Sequence, residues 1–254
     1  MGAGHTHTLY VHEHSRVHRL APEVKLAAAF ITVLAIAITP REAIWAFAAD
    51  AVALGGVASI SRVRIRFVLA RLTVIAPFVL FALLIPFVAS GEQISVLGVS
   101  VSKVGLWGMW NVLAKAGLGA TVSILLAATT EVPDLLRGLG RLRIPAVLTT
   151  IAALMIRYVE VIAGEVGRMR IAMTARGYDP RWLWQMRPIA ASAGTLFIRS
   201  YERGERVHAA MLSRGFRGTM PDLDIRRAEP SDWIAAATLP LVAIAAAVAG
   251  IVLR

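Results

Sequence analysis

Two short segments in the second half of the chain repeat one pattern that could bind a partner. Residues 173–178 read MTARGY and residues 211–216 read MLSRGF, so both have methionine, any residue, a small residue, arginine, glycine and an aromatic residue. The planar guanidinium of arginine forms paired hydrogen bonds with carboxylates. A single arginine before a helix-ending glycine is also common, because cations are favoured at a helix C-terminus. The repetition favours two equivalent docking ends for acidic grooves on a partner.

Helical spacing extends both repeats toward the N-terminus. At an offset of 38 residues, each copy has arginine, alanine and arginine four residues apart, which places them on one helical face with the outer arginines about 12 Å apart. Arg199 and Arg203 extend the basic edge of the second copy. Gly177 and Gly215 fit the left-handed position that ends a helix. The predicted docking residues are Ala175, Arg176, Gly177, Ser213, Arg214 and Gly215, with Arg168 and Arg206 in support.

Long apolar blocks surround these motifs and predict a membrane protein. Of the 254 residues, 57% are hydrophobic, and the mean hydropathy is +0.66. The net charge of +11 fits lysine and arginine in cytoplasmic loops, and nothing resembles a nucleic-acid-binding motif. We therefore expect membrane lipid, and no nucleic acid, around the chain. The absence of cysteine excludes disulfides and thiolate metal sites.

Five apolar blocks predict five transmembrane helices. The first block is short and can extend back to Pro22. The loop after the second block contains Arg62, Arg64 and Arg66, with Arg71 just beyond, and this excess of arginine places it in the cytoplasm. Because no apolar signal sequence opens the chain, we expect insertion through the first of these helices. The blocks lie near residues 25–40, 42–60, 67–89, 104–129 and 233–253.

The predicted fold is an all-α polytopic membrane protein with long amphipathic cytoplasmic helices. Residues 1–24 form a His-rich cytoplasmic tail, 25–130 four transmembrane helices, and 231–254 the last one. Residues 131–230 alternate apolar and charged positions at helical spacing, which predicts a cytoplasmic segment on or under the membrane. Residues 91–103 are predicted to be a loop on the outer face.

Two further groups of residues are weaker candidates. Imidazole is a good ligand for Co²⁺ and Ni²⁺, but the spacing of the N-terminal histidines defines no single geometry, which favours a mobile tail. Asp50 and Lys115 lie near the middle of two predicted spans, where charges are costly and usually pair, so an intramembrane ion pair is a hypothesis. The histidines are His5, His7, His12, His14 and His18.

Several segments resemble the transmembrane T component of energy-coupling factor (ECF) transporters. These are LAPEVKL at 20–26, EVPDLLRGLGRLRIP at 131–145, and the helix MIRYVEVIAGEVGRMRIAMTARGY that carries the first motif. The opening GAGHTHTLYVHEHSRVHRL is most similar to the cobalt-type branch, CbiQ. The resemblance covers most of the chain.

The resemblance implies a scaffold in the inner membrane. Such a subunit joins a substrate-binding membrane (S) subunit to two ATP-binding-cassette ATPases, whose grooves receive the two arginine motifs and whose motion tilts the S subunit. The resemblance also implies that another subunit binds the transported metal. For the transported substrate, cobalt is the first expectation, nickel the second and a vitamin the third. The second motif has Ser213 where the family pattern has alanine, and serine is nearly as small.

No catalytic, cofactor-binding or resident metal site is expected. The sequence contains no GxxxxGK[ST], HExxH or GxSxG, so ATP chemistry must come from partner subunits. One alternative is a conventional ABC importer permease, which would have one principal coupling loop instead of paired helix ends. Another is a membrane-embedded lipid- or prenyl-modifying enzyme, which would need clustered acids for Mg²⁺; Asp222 and Asp224 are the nearest pair.

Overall fold

Helices make up nearly all of the structure. The computed structural model describes residues 13, 15–90, 93–96, 99–178, 183–219 and 227–253, and it confirms the predicted all-α membrane fold. In chain order the elements are α1 (Arg16–Arg19), α2 (Pro22–Ile38), α3 (Ile44–Ile60), α4 (Ile65–Arg71), a 3₁₀ turn (Leu72–Ile75), α5 (Ala76–Val88), β1 (Gln93–Val96), β2 (Val99–Ser102), α6 (Lys103–Thr129), α7 (Val132–Arg141), α8 (Ala146–Ala175), a second 3₁₀ turn (Leu183–Met186), α9 (Arg187–Ser213) and α10 (Pro230–Val252).

The chain divides into two compact units. One, the bundle, comprises residues 6–139 and 225–254, and the other, the helix pair, contains α8 and α9 within residues 140–224. In the bundle, α2 and α3 each pack against both α6 and α10. Phe47, Leu54, Val122 and Leu125 are buried together in its core, and the ring of Phe47 meets Trp110 edge-on.

Most large apolar side chains of the bundle point outward. Phe78, Leu80 and Phe81 of α5 are 60–67% exposed, as expected for side chains that a bilayer surrounds. Among the described helices, four are long and apolar enough to cross a membrane, and the 17-residue α3 is a shorter apolar helix. The four are Ile65–Val88, Lys103–Thr129, Ala146–Ala175 and Pro230–Val252.

The helix bounds bear on two features of the predicted topology. The first apolar block does extend back, because α2 begins at Pro22, a residue whose fixed φ suits the first helical turn. The 30-residue α8 meets the length and hydropathy needed for a span, although the sequence places it in the cytoplasmic segment. The number of spans and the sides of the membrane stay predictions.

A short hairpin occupies a region that the sequence assigned to a loop. β1 and β2 pair antiparallel, with Gln93 opposite Ser102. The sequence analysis did not predict these strands, although ISVLGVSVS alternates apolar and polar residues, the period of a strand. Beyond the hairpin, α5 and α6 pack so closely that a Cβ on Gly105 would lie 2.6 Å from Cα of Pro86.

Candidate functional site

The first arginine motif forms the C-terminal end of α8. Gly177 has φ +78°, the left-handed conformation that glycine adopts without steric cost. The Tyr178 N–H donates to the carbonyl of Met173 at 3.1 Å, and the Gly177 N–H donates to that of Thr174 at 2.9 Å. These two bonds define a Schellman motif, which satisfies carbonyls at the helix end. Arg176 is consequently held at the last turn.

The second motif repeats this geometry at the end of α9. Gly215 has φ +82°, the Phe216 N–H donates to the carbonyl of Met211 at 3.0 Å, and the Gly215 N–H donates to that of Leu212 at 2.9 Å. Both glycines therefore have the left-handed conformation that the sequence predicts. The repeat in sequence is thus also a repeat in backbone structure.

Both arginines are free at these ends. Arg176 and Arg214 are exposed, and within the described parts of the chain no carboxylate pairs with either guanidinium. In each motif the methionine and the aromatic residue are partly buried, whereas the small residue, arginine and glycine are exposed. The Ser213 hydroxyl donates to the Ala210 carbonyl at 3.0 Å, so this small polar residue adds no unpaired group to the exposed tip.

The two motifs lie at opposite ends of an antiparallel helix pair. Near the first motif, the Ser192 hydroxyl lies 3.6 Å from the sulfur of Met173. Further along, Glu165 of α8 accepts hydrogen bonds from Arg199 at 3.0 Å and Arg203 at 3.4 Å. From residue 192 to residue 214, α9 extends about 33 Å at 1.5 Å per residue. One small cleft on a partner cannot receive both tips.

Glu165 forms ion pairs that link α8 to α9. Its side chain is 13% exposed, while those of Arg199 and Arg203 are 57% and 36% exposed. The sequence analysis predicted that these two arginines extend the basic edge of the second helix. In the structure they form ion pairs with Glu165. Of the supporting residues, Arg168 is exposed on α8 and Arg206 pairs with Glu202 at 3.7 Å.

An apolar groove between α8 and α9 was not anticipated from the sequence. It encloses a cavity of about 550 Å³, with Ile151, Met155 and Ile162 on one side and Val207 and Met211 on the other. A signal was present in the sequence, because α8 is apolar enough to meet the hydropathy of a membrane span. Its lining ends at the second motif, through Met211 and Phe216.

The predicted intramembrane ion pair is not found. Lys115 donates from Nζ to the carbonyl oxygen of Ala37 at 2.7 Å. Asp50 is 2% exposed, and its Oδ2 has no hydrogen-bond partner. The lysine instead binds a carbonyl in the last turn of α2, where helix carbonyls lack an intrahelical partner.

The N-terminal histidines contribute no metal site to the described structure. His5, His7, His12 and His14 lie outside the described residues. His18 belongs to α1, with Nδ1 2.7 Å from the hydroxyl of Ser15. Over the part of the chain that the structure describes, no three histidine, aspartate or glutamate side chains are grouped as metal ligands.

Comparison with known proteins gives consistent matches along the chain. A family profile described as "Cobalt transport protein", CbiQ, matches residues 13–223. The cobalt transport protein CbiQ of Rhodobacter capsulatus is 38% identical over 104 residues, which span 41% of this chain and 42% of that protein. The energy-coupling factor transporter transmembrane protein EcfT of Bacillus selenitireducens is 28% identical over 82% of each chain. The EcfT of Streptococcus thermophilus is 27% identical over 93% of each.

Proposed function

The chain belongs to the cobalt transport protein (CbiQ) family and is a membrane component of a transporter, and from that premise we propose that it couples two partner ATPases to an S subunit. In this proposal it is the T component of an ECF-type importer. It hydrolyses no ATP itself, and the ATPase activity belongs to the partner subunits.

The observation that carries the proposal is the duplicated helix end. Arg176 and Arg214 each project from an exposed Schellman motif with the same hydrogen bonds and the same pattern of burial. A homodimeric or pseudo-symmetric pair of ATPases offers the same acidic groove twice. Two equivalent cationic tips, separated by about 33 Å of helix, match such a pair better than a single binding site.

The groove between α8 and α9 supports a separate role for the same helices. Val147, Leu148 and Met155 of α8 are 58–64% exposed. Exposed apolar patches of this kind mark sites of interaction with proteins or membranes. We assign this apolar surface to the S subunit. The arginine tips would then bind the ATPases while the groove binds a membrane partner, so one rigid helix contacts both.

The transported substrate is proposed from the relatives. The family description and the Rhodobacter relative name cobalt, whereas the EcfT relatives name energy coupling and no substrate. We therefore propose cobalt, with nickel as the alternative. The metal would be bound by the S subunit, and the chain would lie in the cell membrane with its N-terminus and residues 131–230 in the cytoplasm.

Charge reversal at the tips tests this function. Arg176→Glu and Arg214→Glu are co-expressed with the partner subunits and isolated through a tag on this chain. Each variant should lose most of the co-purified ATPase and of cobalt uptake, because a carboxylate replaces the cation that meets an acidic groove. Arg157→Glu is the matched control, since Arg157 is exposed on α8 but lies 19 residues before Arg176. A double tip variant that retains a normal amount of ATPase would show that the proposal is wrong.

A further inference from the structure

A separate cavity of about 320 Å³ lies within the bundle. Four long helices and α1 contribute its walls, so it belongs to the interior of the bundle and is distinct from the groove between α8 and α9. Its walls are almost wholly aliphatic. They include Ala28 of α2, Leu54 and Val57 of α3, Leu125 of α6, and Ala236 and Leu239 of α10.

The mouth of this cavity lies at one end of the bundle. α2 and α10 begin there, and α3 and α6 end there, because residues near all four termini line the cavity. On α6 the lining runs from Thr129 to Val122, which is about 10 Å into the bundle. The cavity is therefore a partly open apolar pocket near one end of the bundle.

Two cationic side chains line the cavity. Arg16 of α1 lines the cavity, is exposed, and pairs with no carboxylate among the described residues. Lys25 also lines it, is 8% exposed, and donates from Nζ to the carbonyl oxygen of Thr129 at 2.8 Å. The Ser15 hydroxyl accepts the His18 N–H at 3.3 Å and so caps the short helix that positions Arg16.

The lining and the charge of the cavity select its occupant. The aliphatic walls suit a hydrocarbon chain, and the cations beside them favour an anionic group at the outer end of that chain. We propose that this cavity binds one acyl chain of an anionic phospholipid, whose phosphate is held by Arg16. This site is independent of the proposed coupling function.

Photolabelling of the full chain tests the site. The protein is reconstituted into phosphatidylcholine vesicles that contain a trace of phosphatidylglycerol with a photoactivatable acyl chain. We expect labelling of the wall residues of α2 and α10, and competition by excess phosphatidylglycerol but not by added phosphatidylcholine. Arg16→Glu should reduce the labelling at least fivefold, and the double variant Ala28→Leu, Ala236→Leu should also reduce it by narrowing the cavity.

Two controls accompany these variants. Arg41→Glu reverses an exposed charge in the loop between α2 and α3, and Ala245→Leu adds the same bulk on an exposed face of α10; both should label normally. Circular dichroism checks that each variant folds. Arg16 is exposed, so Arg16→Glu should fold and still test the proposal if the double variant does not fold. Equal competition by both lipids, or normal labelling of Arg16→Glu, would overturn the proposal. If excess phosphatidylglycerol does not reduce the labelling but addition of a membrane partner protein does, a protein segment occupies the cavity and the proposal is wrong.

Discussion

Replacing Gly177 with alanine tests whether the conformation of the helix end determines docking. At φ +78° a residue with Cβ is destabilised by about 1–2 kcal/mol relative to glycine. Among the described residues, no atom beyond the adjacent backbone lies within 4 Å of the added Cβ, so this backbone term dominates the intramolecular cost. The Schellman bonds from Gly177 and Tyr178 should open more often, and Arg176 should lose its fixed position.

The expected effect on binding follows from this free energy. If the ATPase binds only the capped helix end, 1–2 kcal/mol weakens its affinity about 5- to 30-fold. Surface plasmon resonance with the purified ATPase measures this ratio. Gly215→Ala should show the same loss at the other end, because its φ of +82° is nearly identical.

A matched glycine and a matched substitution sharpen the test. Gly218 has φ +90° and also nothing within 4 Å of an added Cβ, so Gly218→Ala carries the same backbone cost outside both motifs and should leave ATPase affinity unchanged. Asparagine tolerates left-handed φ better than alanine, so Gly177→Asn should recover part of the affinity if conformation alone matters. Full affinity in Gly177→Ala would refute the requirement for a capped end.

Two other predictions concern the helix pair and the bundle. Glu165→Gln should loosen the packing of α8 against α9, because it removes the carboxylate charge that Arg199 and Arg203 share. The chain contains no cysteine, so spin labels can be attached to cysteines introduced at the exposed Ile171 and Ile189. The distribution of distances between the labels should broaden in the variant, and an unchanged distribution would contradict the prediction. Gly138→Ala should destabilise the bundle by about 1–3 kcal/mol, since its Cβ would lie 2.9–3.0 Å from backbone atoms at the start of α2. Thermal unfolding should show a lower midpoint for that variant but not for Gly117→Ala, where nothing lies within 4 Å.

The sequence predicted those features whose causes are local. A Schellman motif depends on bonds within six residues and on one left-handed position, so Gly177 and Gly215 indicate both helix ends without knowledge of the rest of the fold. The apolar blocks similarly predict helices because hydropathy over about 20 residues sets the length of a span. The start of α2 at Pro22 follows from the preference of proline for the first helical turn.

Features that depend on distant residues were not predicted. The bonds from Arg199 and Arg203 to Glu165 join residues 34 and 38 positions apart, and sequence spacing contains no information about which carboxylate is near. For Lys115, the sequence suggested the acidic Asp50, but the structure supplies a backbone carbonyl at Ala37. Backbone acceptors occur at every residue, so composition cannot reveal them.

A left-handed position does not by itself require glycine in this chain. Arg62 ends α3 with φ +57° and the same pair of bonds, and Arg143 follows α7 with φ +67°, so this fold accepts side chains at left-handed positions. At Gly177 and Gly215, the described part of the chain places no atom beyond the adjacent backbone within 4 Å of an added Cβ. Glycine there is consequently not required by internal packing. We expect the missing side chain to leave room beside each arginine for a partner's backbone to approach, as the proposed docking requires.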